Sequence, residues 1–170
     1  MKIINALWVC LLTITAVPNV FADAKQWDDD QKAIIEVNRF VPLALKEVGF
    51  EGYSKLFHPE YTNWYMVGDK ESLTERELYL SRVKTWFEKG NYANYSKVVP
   101  ISIEVFGEIA YVRHLQEEHF VHPDGKRSMF VGHFASLMKK YQGKWTFYRT
   151  SFEARYRGPI EEATTNLDNY

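Results

Sequence analysis

Between Val98 and Arg155 apolar and polar residues alternate with a period of two, the pattern of strands with one face buried. Val99, Ile101, Ile103 and Val105 interleave with Pro100, Ser102 and Glu104. Three turn signals divide the stretch: Gly107-Glu108, His122-Pro123-Asp124-Gly125 and Gln142-Gly143. They predict an antiparallel meander of four long strands, the last three being Ile109–Val121, Lys126–Tyr141 and Lys144–Arg155.

Turn lengths set the register, and the register decides which side chains share a face. A two-residue turn at Gly107-Glu108 places Val105 opposite Ala110, Ile103 opposite Val112 and Ile101 opposite His114. A Gly-bulged turn at Pro123-Asp124-Gly125 pairs Glu118 with Phe130 and His114 with Phe134. The Gln-Gly turn pairs Met138 with Phe147 and Lys140 with Trp145. The predicted inner face then starts apolar, with Ile101, Ile103, Val105, Ala110, Val112, Met138, Trp145 and Phe147. It turns polar through His114, Gln116, Glu118, Gly132, Ser136, Arg149, Ser151 and Glu153, with Phe130 and Phe134 among them.

Upstream the period changes. Ala33, Ile34, Val37, Val41, Ala44, Leu45 and Val48 recur at helical spacing behind Asp28-Asp29-Asp30, acids that complement the positive end of a helix. Pro42 should kink this helix and Gly49 should stop it. A second, shorter helix is expected from Phe50 to Phe57, ended by His58-Pro59. Tyr61 to Val67 reads as a short strand closed by Gly68-Asp69. Ser72-Leu73-Thr74-Glu75 has the form of a capping box opening a third helix through Leu80, Val83 and Phe87 to Gly90. The stretch from Gly158 to Tyr170 reads as a partly disordered tail.

The beginning of the chain changes the picture. Lys2, an apolar run from Ile3 to Val17 and Val20-Phe21-Ala22 are the parts of a secretory signal peptide over residues 1–22, with cleavage before Asp23. A periplasmic or secreted domain over 23–157 is therefore expected. The single cysteine, Cys10, lies in the leader, so thiol catalysis, disulfides and Cys-ligated metal are excluded from the mature chain. The formal net charge of −1 suggests neither nucleic acid nor, after cleavage, a membrane surface as partner.

The element order of helices first and strands later predicts an α+β domain. Phe57-His58-Pro59-Glu60-Tyr61, Val105-Phe106-Gly107-Glu108-Ile109-Ala110 and Gly143-Lys144-Trp145-Thr146-Phe147 resemble the nuclear transport factor 2-like superfamily, its small SnoaL-like proteins in particular. The resemblance implies a cone-shaped curved antiparallel sheet, four long strands and one short, packed on three N-terminal helices around a pocket. It also implies a range of functions, from isomerases and dehydratases to association domains and binding proteins.

Chemistry concentrates on the polar end of the predicted inner face. His114 or Glu118 could move a proton while Arg149 holds a carboxylate or enolate oxygen; equally, Arg149 with Glu118 or Glu153 makes a structural ion pair. Tyr61, Asn63, Trp64 and Tyr65 could line a pocket mouth for a flat ligand or serve simply as core. Gln116, Phe134, Ser136, Trp145, Phe147 and Glu153 complete the expected ligand-binding set. No pair of histidines converges with an acid in a ligand-like way, so neither metal nor cofactor is expected. The opposite face, with Tyr111, Arg113, Leu115, Met129, Val131, Tyr148, Thr150 and Phe152, is apolar enough to predict a homodimer. The leading functional expectation is binding of a small, partly apolar ligand. The alternatives are an acid–base enzyme without cofactor and an association module.

Overall fold

The computed structural model describes residues 26–67 and 70–168. The expected signal peptide with Cys10 and the Gly68-Asp69 turn lie outside them. The chain runs α1 (Asp29–Ser54), β1 (Phe57–Val67), β2 (Lys70–Glu75), α2 (Arg76–Glu88), β3 (Tyr92–Phe106), β4 (Ile109–Val121), β5 (Arg127–Tyr141), β6 (Lys144–Pro159) and a short 3-10 turn, Ile160–Glu162. The strands form one sheet in the order β2-β1-β6-β5-β4-β3. The α+β class stands.

Helix α1 begins as its acids predict. Asp28 accepts the Gln31 backbone N–H at 2.8 Å while the Gln31 side chain accepts the Asp28 N–H, a reciprocal cap. Three helices were expected and two are found. Gly49, at φ 68°, breaks α1, and the residues after it add only a further turn, Phe57 being already in β1. The helical reading of the Phe50–Phe57 stretch holds as far as Ser54, after which the chain turns and Phe57 enters β1. Phe57, 5 % exposed, stacks on Phe147 with ring centroids 5.6 Å apart and meets Tyr61 edge-on. Pro59 falls where the β1–β6 register shifts, a place where a missing N–H is tolerated.

β1 lies parallel to β6, with Phe57 opposite Phe147 and Asn63 opposite Thr150. The sheet is therefore mixed and six-stranded, not purely antiparallel. Ser72-Leu73-Thr74-Glu75 is not a capping box. These residues belong to edge strand β2, which pairs Asn63 with Thr74, and Glu75 precedes α2 without capping it through its side chain. Pairing with an exposed β1 backbone wins over a cap worth about 1 kcal/mol.

All three meander registers match the turn-based expectation near their turns: Val105 faces Ala110, Glu118 faces Phe130 and Met138 faces Phe147. The core follows, with Ile34, Ile35, Ala44 and Leu45 of α1 packed on Ile103, Ala110, Val112, Met138, Trp145 and Phe147. Away from the turns, bulges intervene. Between Pro100 and Ser102 the register shifts, so Ile101 is squeezed out and stands 46 % exposed. Between Phe147 and Arg149 it shifts again: Met138 faces Phe147, but Leu137 faces Arg149 and Ser136 faces Thr150. Every residue of β6 beyond Tyr148 thereby changes face until the next shift, opposite Val131 and Gly132. Arg149, Ser151 and Glu153 go to the outer face. Thr150 and Phe152 go to the inner one.

On the outer face Leu115, Met129 and Val131 are buried within this chain. Ile160, Ala163 and Leu167 from beyond β6 pack over them together with Val99 and Tyr156. Leu167 donates its backbone N–H to Glu117 Oε2 at 2.7 Å, and Lys97 Nζ donates to the Leu167 carbonyl.

Candidate functional site

The inner sheet face, α1 and α2 border a cavity of about 510 Å³ that is open to solvent on one side. Its walls are aromatic: Phe57, Phe120, Phe130, Phe134, Phe147 and Phe152 from the sheet, Tyr53, Tyr79 and Trp86 from the helices. Phe134 and Phe152 stack at 5.4 Å, and Phe130 meets both edge-on. Such walls suit a flat, partly apolar molecule.

Three side chains at alternate positions of β4 form a hydrogen-bonded line along the inner face. Gln116 Nε2 donates to Glu118 Oε1 at 2.7 Å, which turns the Gln116 carbonyl oxygen toward His114 Nε2, 2.9 Å away. The imidazole therefore carries its proton on Nε2. Burial holds the His114 ring down to about 4, against the weaker upward pull of Gln116, so it is neutral at neutral pH. Its Nδ1 is buried without a partner, and its ring stacks on Phe134 at 5.1 Å. At the other end of the line, Glu118 lines the cavity. Burial pushes its carboxyl up to about 7, opposed by the Arg157 guanidinium.

Phenols face the same space. Tyr53 and Tyr79 share a hydrogen bond of 2.9 Å between their hydroxyls, and Tyr61 packs edge-on against Tyr79. Burial raises the pKa of all three, so they stay protonated and able to donate. A hydroxyl–hydroxyl bond uses one proton; the other is available to a ligand oxygen.

The expected site residues divide. Glu118, Gln116, Tyr61, Phe134 and Phe147 line the cavity, and His114 reaches it through Gln116. Arg149 does not. It lies on the outer side, its guanidinium 4.0 Å from the Tyr148 ring centroid and donating to the Glu60 and Tyr148 carbonyls. Glu153 is exposed on that side, and Trp64, 46 % exposed, also faces outward. Both border a second groove of about 940 Å³ with Ile101, Arg113 and His133, which Phe130, Phe134 and Phe152 also line. Trp145 is buried below the cavity and donates Nε1–H to Asp30 at 2.9 Å. Ser136 is fully buried with its hydroxyl unpaired. Tyr65 takes its place in β1 opposite Phe152.

Arg157, Arg82, Tyr53 and Tyr79 line the cavity without having been expected there. Arg157 reaches the inner face through two successive bulges, for which no local pattern stands in the sequence. Arg82 and Tyr79 lie on α2, whose weak amphipathicity gives no clue to the face turned inward. Among the described residues no group of three or more His, Cys, Asp or Glu is placed to hold a metal ion.

No family model and no curated protein matches the sequence. Solved structures do. A protein named as a putative scytalone dehydratase, from Novosphingobium aromaticivorans, superposes with a TM-score of 0.60 at 16% identity, covering 83% of this chain and 94% of that one. A ketosteroid isomerase-like protein from Erwinia carotovora atroseptica reaches 0.57 at 11% identity, covering 76% and 99%. An NTF2-like protein of unknown function from Methylobacillus flagellatus reaches 0.52 at 24% identity, covering 78% and 97%. The likeness is one of fold.

Proposed function

With the nuclear transport factor 2-like fold as the frame, we propose that this chain is an acid–base enzyme of the isomerase or dehydratase type. It takes a small, partly apolar molecule in the interior cavity and uses Glu118 to move a proton. The observation that carries the reading is a carboxyl placed inside an aromatic cavity and oriented by Gln116 at 2.7 Å. An acid whose pKa sits near the working pH can accept a proton in one step and return it in the next.

The neighbours support the division of labour. His114, donating into the Gln116 carbonyl, fixes the amide so that its N–H points at Glu118. The hydroxyl of the Tyr53–Tyr79 pair that keeps a free proton can donate to an oxygen that gains charge as Glu118 takes the proton. Two of the structurally similar proteins are named for a dehydratase and an isomerase, which is compatible with this chemistry.

The test is exchange of carbon-bound hydrogen. A panel of small aryl ketones and β-hydroxy ketones is incubated with the protein in D₂O, and deuterium at the carbon next to the carbonyl is followed by mass spectrometry. The expected result is exchange above the buffer rate that falls about 10²- to 10⁴-fold in Glu118→Gln. Equal exchange by the wild type and this variant would overturn the reading. Tight binding of the same ketones without any exchange favours the simpler alternative, a binding protein with the same aromatic cavity. Export belongs to the proposal as well. The protein recovered outside the cytoplasm should have the mass of a chain starting at Asp23, and a mass that includes Cys10 would count against it.

A further inference from the structure

The polar atoms of the cavity are not scattered. Thr74, Asn63, Thr150 and Ser136 stand opposite one another on β2, β1, β6 and β5, one polar row crossing four strands of the inner face. Asn63 and Thr150, 7 % and 8 % exposed, line the cavity; the Asn63 Oδ1 atom is buried without a partner, and the Thr150 hydroxyl lies beside the Tyr61 phenol. Buried polar atoms of this kind are costly when unmet, so the row is built to be met by water or ligand.

At the end of that row stands a cation. Arg82 lines the same cavity, and among the described residues its hydrogen bond runs from Nη1 to Thr74 Oγ1 at a long 3.4 Å. No described carboxylate lies within ion-pair distance of it; the ion pairs of α2 lie elsewhere, as Lys84 with Glu88 shows. The charged groups lining the cavity are Arg82, Arg157 and Glu118, and His122 is occupied by Asn91 at 2.8 Å and Ser128 at 2.7 Å. Arg82 and Arg157 are both exposed, so the two guanidiniums stand where the aromatic cavity opens to solvent. A guanidinium at the mouth of an apolar cavity can hold the anionic end of a ligand whose body lies inside, and its planar fork matches a carboxylate.

We infer that the molecule bound here is a small amphiphilic carboxylate, its carboxylate on Arg82 at the open side of the cavity and its apolar body on the phenyl rings. The inference rests on the acid–base reading only for the word substrate; the recognition stands apart from the chemistry. With Arg82 on α2 and Glu118 on β4, the ligand's anchored end and its reacting end are held by different elements, so the carboxylate is the handle and not the reacting group.

The probes are phenylacetate, 3-phenylpropionate and 4-phenylbutyrate, each paired with its neutral primary amide, titrated calorimetrically into the full chain. At least one acid is expected to bind about tenfold or more tighter than its amide. That preference should vanish in Arg82→Gln and be kept in large part in Arg82→Lys, which retains the charge. Acids no tighter than amides, or no acid binding at millimolar concentration, would overturn the inference, and so would an acid preference that survives Arg82→Gln. The wild-type comparison needs no variant, so it decides the question even where a variant fails to fold. Glu118→Gln separates the two proposals. It should lose proton exchange and keep the acid preference. A wild type that prefers acids but exchanges no hydrogen sinks the acid–base reading and leaves this one intact, and exchange without acid preference does the reverse.

Discussion

At the scale of single residues, His114 and Glu118 are joined through one amide and pull stability in opposite directions as pH changes. Glu118 has its folded pKa raised to about 7 from 4.5. Its contribution is fully present below 4.5 and is lost as pH rises through 7, by about 3 kcal/mol in all. His114 has its folded pKa lowered to about 4 from 6.5. Its contribution is present above 6.5 and is lost as pH falls through 4, by a similar amount of about 3 kcal/mol. Between pH 4.5 and 6.5 the two slopes offset each other, with His58, also held low by burial, adding modestly to the second. Denaturant unfolding across this window should give a shallow profile for the wild type. Glu118→Gln should unmask stability that rises with pH, and His114→Phe stability that falls. Parallel profiles for all three proteins would show that neither group carries the shift.

At the scale of elements, the bulge at Tyr148 decides which half of β6 lines the cavity. It sends Arg149 outward and brings Thr150 and Phe152 in. Arg149→Met should therefore leave affinity for any cavity ligand unchanged, measured by calorimetry with whichever probe binds. The second shift, beside Gly132, depends on a missing side chain. A Cβ there would sit 2.6 Å from the Phe130 ring and 2.8 Å from the Glu153 carbonyl. Gly132→Ala should cost about 1–3 kcal/mol of stability, read from the urea midpoint, because backbone on one side leaves the ring nowhere to move. A neutral substitution would mean that the strand slides freely there. The alternation that predicts a strand is blind to such shifts, since one extra residue leaves the apolar pattern on either side intact.

At the scale of the whole molecule, the outer face carries two occupants. The chain's own Ile160, Ala163 and Leu167 cover Leu115, Met129 and Val131, so that part of the apolar face is satisfied within one chain. Trp64, Ile101 and Leu137 remain exposed beside it. A homodimer is proposed for this open part, where a second copy would bury the indole and its neighbours. Light scattering at micromolar concentration should report a dimer, and Trp64→Glu combined with Ile101→Glu should yield monomers. A monomeric wild type would end the proposal. Leu167→Asp should release the covering segment, seen as faster proteolysis after Gly158, since an unpaired carboxylate cannot stay in that apolar site.

The sequence by itself determined what local physics determines. Two- and four-residue turns set the pairing of β3 with β4, β4 with β5 and β5 with β6 close to each turn, and that sufficed to place His114, Gln116, Glu118, Phe130 and Phe134 on one face. Capping chemistry located the start of α1, and the alternation of apolar residues located most of the core. Tertiary structure decided the rest. The parallel pairing of β1 with β6 joins segments some ninety residues apart and leaves no signal in either. The bulges in β3 and β6 let strongly twisted strands keep their hydrogen bonds around a curved sheet, a requirement set by the neighbours of a strand and not by its own residues. For the same reason the acidic member of the site was legible, lying one turn from its strand partner, whereas its basic partner was misassigned to Arg149. The cation that faces Glu118 is Arg157, carried there by two shifts of register, and Arg82 arrives on a helix whose docking only the assembled sheet determines.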